Sequence, residues 1–142
     1  MTTSDCFKLY PVGLIQKQAD QTIITIRAAY KDALLGLEQF SHIMVCYWFH
    51  QNDTPEKRNT LRVYPRRNKS NPLSGVFATR APLRPNLIAW STCKLLAVDG
   101  LKLTIDKIDA FDATPVLDIK PFIPSRRSLA GVKTPDWLSH FQ

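Results

Sequence analysis

Two strand-like runs, Leu87 to Val98 and Leu101 to Ile108, are separated only by Asp99-Gly100. A two-residue Asp-Gly loop between alternating apolar runs is the strongest short-range hairpin signal, because its backbone twist matches that of antiparallel strands. Pairing Val98 with Leu101 sets Leu96 opposite Leu103 and gives the hairpin one apolar face. The rest of the chain must suit an antiparallel sheet, and much of it does. Gln21 to Arg27 is β-rich and follows Phe7 to Ile15 after a short gap, as in a second hairpin; Pro11 and Gly13 suit an edge strand with a kink or bulge. His42 to Gln51 is the longest apolar strand candidate, and Leu61 to Tyr64 a short one. Tyr30 to Phe40 sets Ala33, Leu34, Leu35 and Leu37 among charged residues, enough for one or two helical turns. Many short strands, one short helix and ten prolines in 142 residues predict a mainly β, single-domain barrel with long polar loops over 1–142. Trp137, Leu138 and Phe141 are expected to pack the tail back onto it.

Several function classes are excluded by spacing. Gly13, Gly36, Gly75, Gly100 and Gly131 lie too far apart to build a dinucleotide-binding turn or a phosphate-binding P-loop. No run of about 18 apolar residues is present, so no membrane partner is expected. The first residues lack the basic and apolar regions of a signal peptide. Cys6, Cys46 and Cys93 are odd in number and far apart, which fits reduced thiols and a cytoplasmic location. His42, Cys46 and His50 are spaced by four, but on a strand such neighbours stand about 13 Å apart, out of reach of one zinc ion or of a thiol–imidazole pair. Asp106, Asp109 and Asp112 end a strand and its following turn, where they point in different directions and serve turns better than magnesium. No metal is expected.

Charge points the other way, toward a polyanion. Nineteen Lys and Arg against twelve Asp and Glu give a net charge of +7, a balance that favours nucleic acid. Lys57, Arg58, Arg62, Arg66, Arg67 and Lys69 crowd the polar segment from Asn52 to Ser74, and Arg126 and Arg127 sit near the end. Such a cluster reads either as a solvated loop carrying charge for solubility or as an RNA-binding surface. Tyr64 among the arginines either stacks a base or packs on the domain surface.

Three segments carry the polar residue types from which loops build sites: Gly75-Val76-Phe77-Ala78-Thr79-Arg80, then Arg84-Pro85-Asn86, then Asp112 to Pro121. Read together, they resemble the TrmO family, also called the TsaA-like or YaeB-like domain. Gly36-Leu37-Glu38, Phe40-Ser41-His42 and Phe49-His50-Gln51 match further family segments in order, and the resemblance extends from Leu9 to Trp137.

The resemblance implies an S-adenosyl-L-methionine-dependent methyltransferase on a TsaA-like β-barrel, usually a homodimer. Members methylate the exocyclic N6 nitrogen of a threonylcarbamoyl-modified adenosine beside the anticodon of tRNA. Carried over by position, the cofactor contacts fall on His50, Gln51, Arg80, Trp90, Asp112, Ala113, Thr114 and Pro115. Arg84, Asn86, Arg62, Arg66, Arg67 and Lys120 are the residues assigned to substrate or RNA. Arg80 suits the cofactor carboxylate, or alternatively an ion pair with Asp112 or Asp118; Asp112 suits the ribose or adenine. No residue stands out as a general base, so no catalytic residue is assigned. The family's Pro-Arg-Gln segment has no counterpart between Gly13 and Ile23. Leu87 replaces a usual proline, Ala89 and Ala113 replace glycines, and Trp90 replaces a smaller aliphatic residue. The implied pocket is therefore reshaped. A small-molecule methyltransferase and a non-catalytic RNA-binding relative are the other two functions compatible with this pattern.

Overall fold

The computed structural model of the chain describes residues 5–125 and 129–141, the last three by their backbone alone. Arg126 and Arg127 lie outside the described residues. Eight strands form in chain order: β1 (Gly13–Lys17), β2 (Thr22–Ile26), β3 (His42–Trp48), β4 (Arg62–Val63), β5 (Ser74–Gly75), β6 (Ile88–Asp99), β7 (Lys102–Ile105) and β8 (Pro115–Pro121). Six of them close a barrel in the order β1-β2-β7-β6-β3-β8, while β4 and β5 pair separately as a short ribbon. The expected β-barrel is present.

Alternation explains the closure. Ile43, Val45 and Tyr47 of β3, Ala89 and Cys93 of β6, and Leu103 and Ile105 of β7 point inward with Ile15, Ile24 and Val116. Side chains fill the interior, as expected for so narrow a barrel, so a ligand site must lie on the rim or the outer wall. β1 and β8 close the seam with the pairs Gly13↔Val116 and Leu14↔Pro115. A Cβ at Gly13 would lie 2.7 Å from the backbone oxygen of Thr25, so glycine allows β1 to approach β2 there.

The β6–β7 hairpin forms with a register different from the expected one. Asp99 pairs with Lys102 and Val98 with Leu103, which leaves Gly100 and Leu101 as the loop. Gly100 has φ of 58°, which a type II′ turn requires at its first central position. The Asp-Gly reading placed the turn one residue early, and each pairing shifted by two. A bulge between Leu95 and Ala97 then turns Leu96 outward, so Leu96 does not face Leu103.

Tyr30 to Phe40 forms 3-10 turns, Ala28–Leu34 and Leu37–Gln39, rather than α-helical ones. One α-helical turn, α1 (Pro55–Arg58), lies inside the expected polar loop, with Pro55 at its start and the Thr54 hydroxyl accepting from Lys57 N at 3.3 Å. Trp137 and Leu138 are half-buried in a 3-10 segment, Asp136–Phe141. Among the described residues no helix is long and apolar enough to cross a membrane.

Candidate functional site

β3 and β8 are antiparallel, so the end of β3 meets the start of β8 at one rim, where Tyr47 pairs with Val116. This brings the turn after β3 beside Asp112–Thr114, the start of one of the three polar segments singled out in the sequence. His50 opens a 3-10 turn, His50–Asn52, and its Nδ1 lies 3.4 Å from the Thr114 hydroxyl. Thr114 is 2% exposed. Asp112 to Thr114 is stitched to β1: Ala113 N donates to Ile15 O at 2.8 Å, Ile15 N to Thr114 O at 2.9 Å, and Lys17 N to Asp112 Oδ1 at 2.8 Å. Ala113 is held at φ of 63°. Alanine therefore keeps the left-handed backbone that glycine adopts freely, at a cost of about 1 kcal/mol.

The other two segments are tied together by Arg84, which points back into the protein. Arg84 Nη1 donates to Thr79 O at 3.3 Å and to Ala81 O at 2.9 Å. Ala81 N donates to the Thr79 hydroxyl at 3.2 Å, so the backbone on both sides of Arg80 is constrained. Arg80 itself is exposed and pairs with neither Asp112 nor Asp118. Asn52 Nδ2 donates to Pro82 O at 3.2 Å and ties the His50 turn to this loop. Phe49 N donates to the carbonyl of the buried Leu87 at 2.8 Å.

α1 supplies two more braces. Lys57 Nζ donates to Gln51 O at 2.9 Å, leaving the exposed Gln51 side chain outside that contact. Arg58 donates to Pro85 O at 3.0 Å and to Asp53 at 2.8 Å, and its guanidinium lies 5.2 Å from the Trp48 ring centroid. The Arg58 hydrogen bond holds the Asp53 carboxyl below its ordinary pKa. Lys57 and Arg58 thus brace the fold.

Sequence reasoning missed Tyr47. Its hydroxyl donates to Asp109 O at 2.7 Å and lies 3.1 Å from Ser91 Oγ, pinning the loop before Asp112 to the barrel interior. Burial raises its pKa, so it remains a neutral donor. A tyrosine in an otherwise apolar strand was the available signal, since a buried phenol needs a partner.

The remaining residues spread outward. Trp90 stands on the outer wall, opposite Cys46, which in turn opposes Asp118; Lys120 follows opposite Met44. Trp90 is 49% exposed. Burial, with Asp118 adding to it, pushes the Cys46 thiol up to about 11, which keeps it protonated. Among the described residues no group of three potential ligands could hold a metal ion. Asn86 is exposed and accepts Ile88 N at 2.8 Å.

Arg62 sits in β4 opposite Gly75 of β5. Beyond β4, Arg66 and Arg67 are exposed and have φ of 57° and 58°. Left-handed backbone costs about 1–2 kcal/mol at each non-glycine residue. The turn is held from beneath: Tyr64 O accepts Arg67 N at 3.0 Å, and Pro65 O accepts Asn68 N at 3.2 Å and Asn71 Nδ2 at 2.9 Å. Pro65 and Asn71 are buried.

The chain is similar to several known proteins. The family model of the tRNA-methyltransferase O N-terminal domain matches residues 9–127. A probable S-adenosyl-L-methionine-binding protein of Methanocaldococcus jannaschii is 44% identical over 116 residues, covering 82% of this chain and 92% of that protein. The tRNA (adenine(37)-N6)-methyltransferase of Escherichia coli is 43% identical over 121 residues, covering 82% of this chain and 51% of that protein. A crystal structure of TrmO from Pseudomonas aeruginosa superposes with a TM-score of 0.68 at 30% identity, over 90% of this chain and 61% of that one. The chain thus spans about half of the Escherichia coli relative and three fifths of the solved one. Through the domain matched over residues 9–127, this chain belongs to the tRNA-methyltransferase O family.

Proposed function

We propose that this chain is an S-adenosyl-L-methionine-dependent methyltransferase acting on N6 of the threonylcarbamoyl-modified adenosine beside the anticodon of tRNA. The observation that carries the reading is the convergence of the His50 turn, the braced loop around Arg80 and the Asp112–Thr114 stitch at the family-matched rim. The donor set suits the cofactor. An exposed arginine fits an amino-acid carboxylate, and a carboxylate, an imidazole and an amide fit ribose hydroxyls and an adenine edge.

In this reading Arg80 holds the cofactor carboxylate from a backbone that Arg84 keeps fixed. Asp112 already accepts Lys17 N through Oδ1, which leaves Oδ2 for the ribose or adenine. His50 and Gln51 present their side chains from the adjoining turn, and Ala113 to Pro115 form a wall against which the ligand lies. Trp90 extends the site down the outer wall as an aromatic surface. The bound cofactor would supply an electrophilic sulfonium methyl. The protein's own task is to align that group with a weakly nucleophilic amine and to admit a base splayed from its loop. Arg62, Arg66, Arg67, Asn86 and Lys120 face the RNA in this assignment, and Arg84 supports from behind. A homodimer in the cytoplasm completes the proposal; exposed Phe7, Leu9 and Leu35 offer apolar surface for a second subunit.

Calorimetric titration with S-adenosyl-L-methionine and S-adenosylhomocysteine is expected to give saturable binding near one site per chain. Labelled methyl transfer to tRNA should follow, and sedimentation should give the dimer. Turnover on a small acceptor without tRNA would favour a small-molecule enzyme. Binding of tRNA by a folded protein that ignores the cofactor would favour a non-catalytic relative.

A further inference from the structure

We propose that Asp109 and Phe111, on the loop that crosses the rim just before Asp112, form the subsite for the acceptor base. The Phe111 ring stacks a nucleobase splayed out of an RNA loop, and the Asp109 carboxylate accepts a hydrogen bond from its exocyclic amine. The proposal rests on the RNA-methylating reading above and assigns the part of that site which reads the base.

The argument starts from how firmly the loop is held. It leaves β7 after Ile105 and enters β8 at Pro115. Asp106 N donates to Lys94 O at 3.1 Å, and Asp106 Oδ1 accepts Lys94 N at 2.9 Å. Lys17 Nζ donates to Ile108 O at 2.9 Å, and the Tyr47 hydroxyl donates to Asp109 O at 2.7 Å. On the other side of Phe111, Asp112 and Ala113 are stitched to β1. Ile108 lies in the core and Ala110 packs against it, so these two residues make the loop's apolar contact with the interior. Phe111 is left outside, 64% exposed. On a loose loop such a ring would fold inward, whereas a backbone anchored on both sides keeps this one at the surface. A ligand that stacks on it therefore orders little of the protein.

Charge selects what stacks there. Between β7 and β8 the chain carries three carboxylates, Asp106, Asp109 and Asp112, against one lysine, Lys107. A phosphate beside Phe111 would be repelled by Asp109 and Asp112, both exposed, whereas a base splayed away from its backbone would not. The Asp109 carboxylate makes no hydrogen bond or ion pair among the described residues, because Tyr47 engages only its backbone oxygen. It is an acceptor without a donor, and an exocyclic amine is a donor. Two residues apart, Asp109 and Phe111 have Cα atoms within about 7 Å of each other, a span that one purine covers. Thr114, which contacts His50, follows three residues after Phe111, within about 11 Å. The base thus lies beside the proposed cofactor contacts, with the ring on one face and the other face open to the methyl donor.

The test titrates the full chain by fluorescence anisotropy with two labelled anticodon stem-loop RNAs, one carrying adenosine and the other inosine at the position following the anticodon. The wild type should prefer adenosine by about tenfold, since inosine presents a carbonyl to the carboxylate. F111A should weaken both RNAs by about tenfold with an unchanged salt slope and a melting temperature within a few degrees of the wild type. F111W should restore binding and F111L should not, because stacking needs a π-face. D109N should abolish or reverse the preference for adenosine, since its amide can also donate to the inosine carbonyl. Cofactor titration should be unchanged in all four variants. Restoration by F111L would overturn the stacking role, and a preference kept in D109N would overturn the amine reading. Native RNA affinity in F111A with a smaller species in sedimentation would overturn the subsite and give Phe111 to a second copy of the chain. Should F111A melt well below the wild type, the D109N preference decides in the same two directions. A wild type that binds cofactor but shows no preference between the RNAs would defeat the subsite and leave the methyltransferase standing. A preference lost in D109N, in a protein that binds no cofactor, would defeat the methyltransferase and leave the subsite.

Discussion

Arg80 and Ala113 occupy the same site for opposite reasons. Arg80 makes no ion pair with the nearby carboxylates considered for it, and its neighbours Thr79 and Ala81 are fixed by Arg84. Arg80→Ala should therefore leave the melting temperature unchanged while weakening S-adenosyl-L-methionine binding by about 1.5–3 kcal/mol, read by calorimetry. Unchanged affinity would remove Arg80 from the site. Ala113 contributes through its backbone and carries strain there. Ala113→Gly should raise unfolding free energy in urea by about 0.5–1 kcal/mol, because relief of the left-handed backbone exceeds the added freedom of the unfolded chain. At this scale the order of the segments was legible, and the structure brings two of their residues, His50 and Thr114, within 3.4 Å of each other. The braces were not legible: Arg58 and Arg84 donate to carbonyls of residues 79, 81 and 85, and carbonyl positions carry no trace in a side-chain pattern.

Among the elements, local periodicity identified five of the six barrel strands but fixed few of the boundaries; β8 read as part of a polar loop, because Pro115, Asp118, Lys120 and Pro121 break its apolar pattern. Gln21 to Arg27 differs from β2 by one residue at each end, whereas His42 to Gln51 ran past its strand into the turn that carries His50. The β6–β7 hairpin was legible as a hairpin, and its register was not, because Gly100 serves the first loop position and a bulge then absorbs Leu96. Pro11 and Gly13 suggested a kink in an edge strand; instead β1 begins at Gly13 and has neighbours on both sides. Gly13→Ala tests how tight that contact is. Its Cβ would meet Thr25 O at 2.7 Å and Ile26 Cδ1 at 3.1 Å, so the variant should lose about 1–3 kcal/mol of stability by chemical denaturation. A loss below a few tenths would mean that β1 can shift away from β2.

Over the whole molecule, titration and closure are linked to the interior. Burial pushes Cys93, like Cys46, up to about 11 from an ordinary 9.0, and it also raises Tyr47. The folded protein thus holds these protons where the unfolded chain releases them. Stability should be level up to about pH 9 and fall between pH 9 and 11, by about 2–3 kcal/mol for each thiol. Urea unfolding at pH 7.5 and 10.5 measures the decline, and C46A/C93A should reduce it to the part due to Tyr47. A wild-type protein equally stable at both pH values would contradict the burial of these groups. The net charge was legible from composition, yet its division into braces and exposed cations required the fold. The seam between β1 and β8 has a further meaning for how such a chain can change over generations. The bonds from Ile15 and Lys17 to residues 112–114 both complete the barrel and shape the site, so drift there risks foldedness along with function. The β4–β5 ribbon stands outside the barrel, so its sequence can change without loosening the barrel's closure.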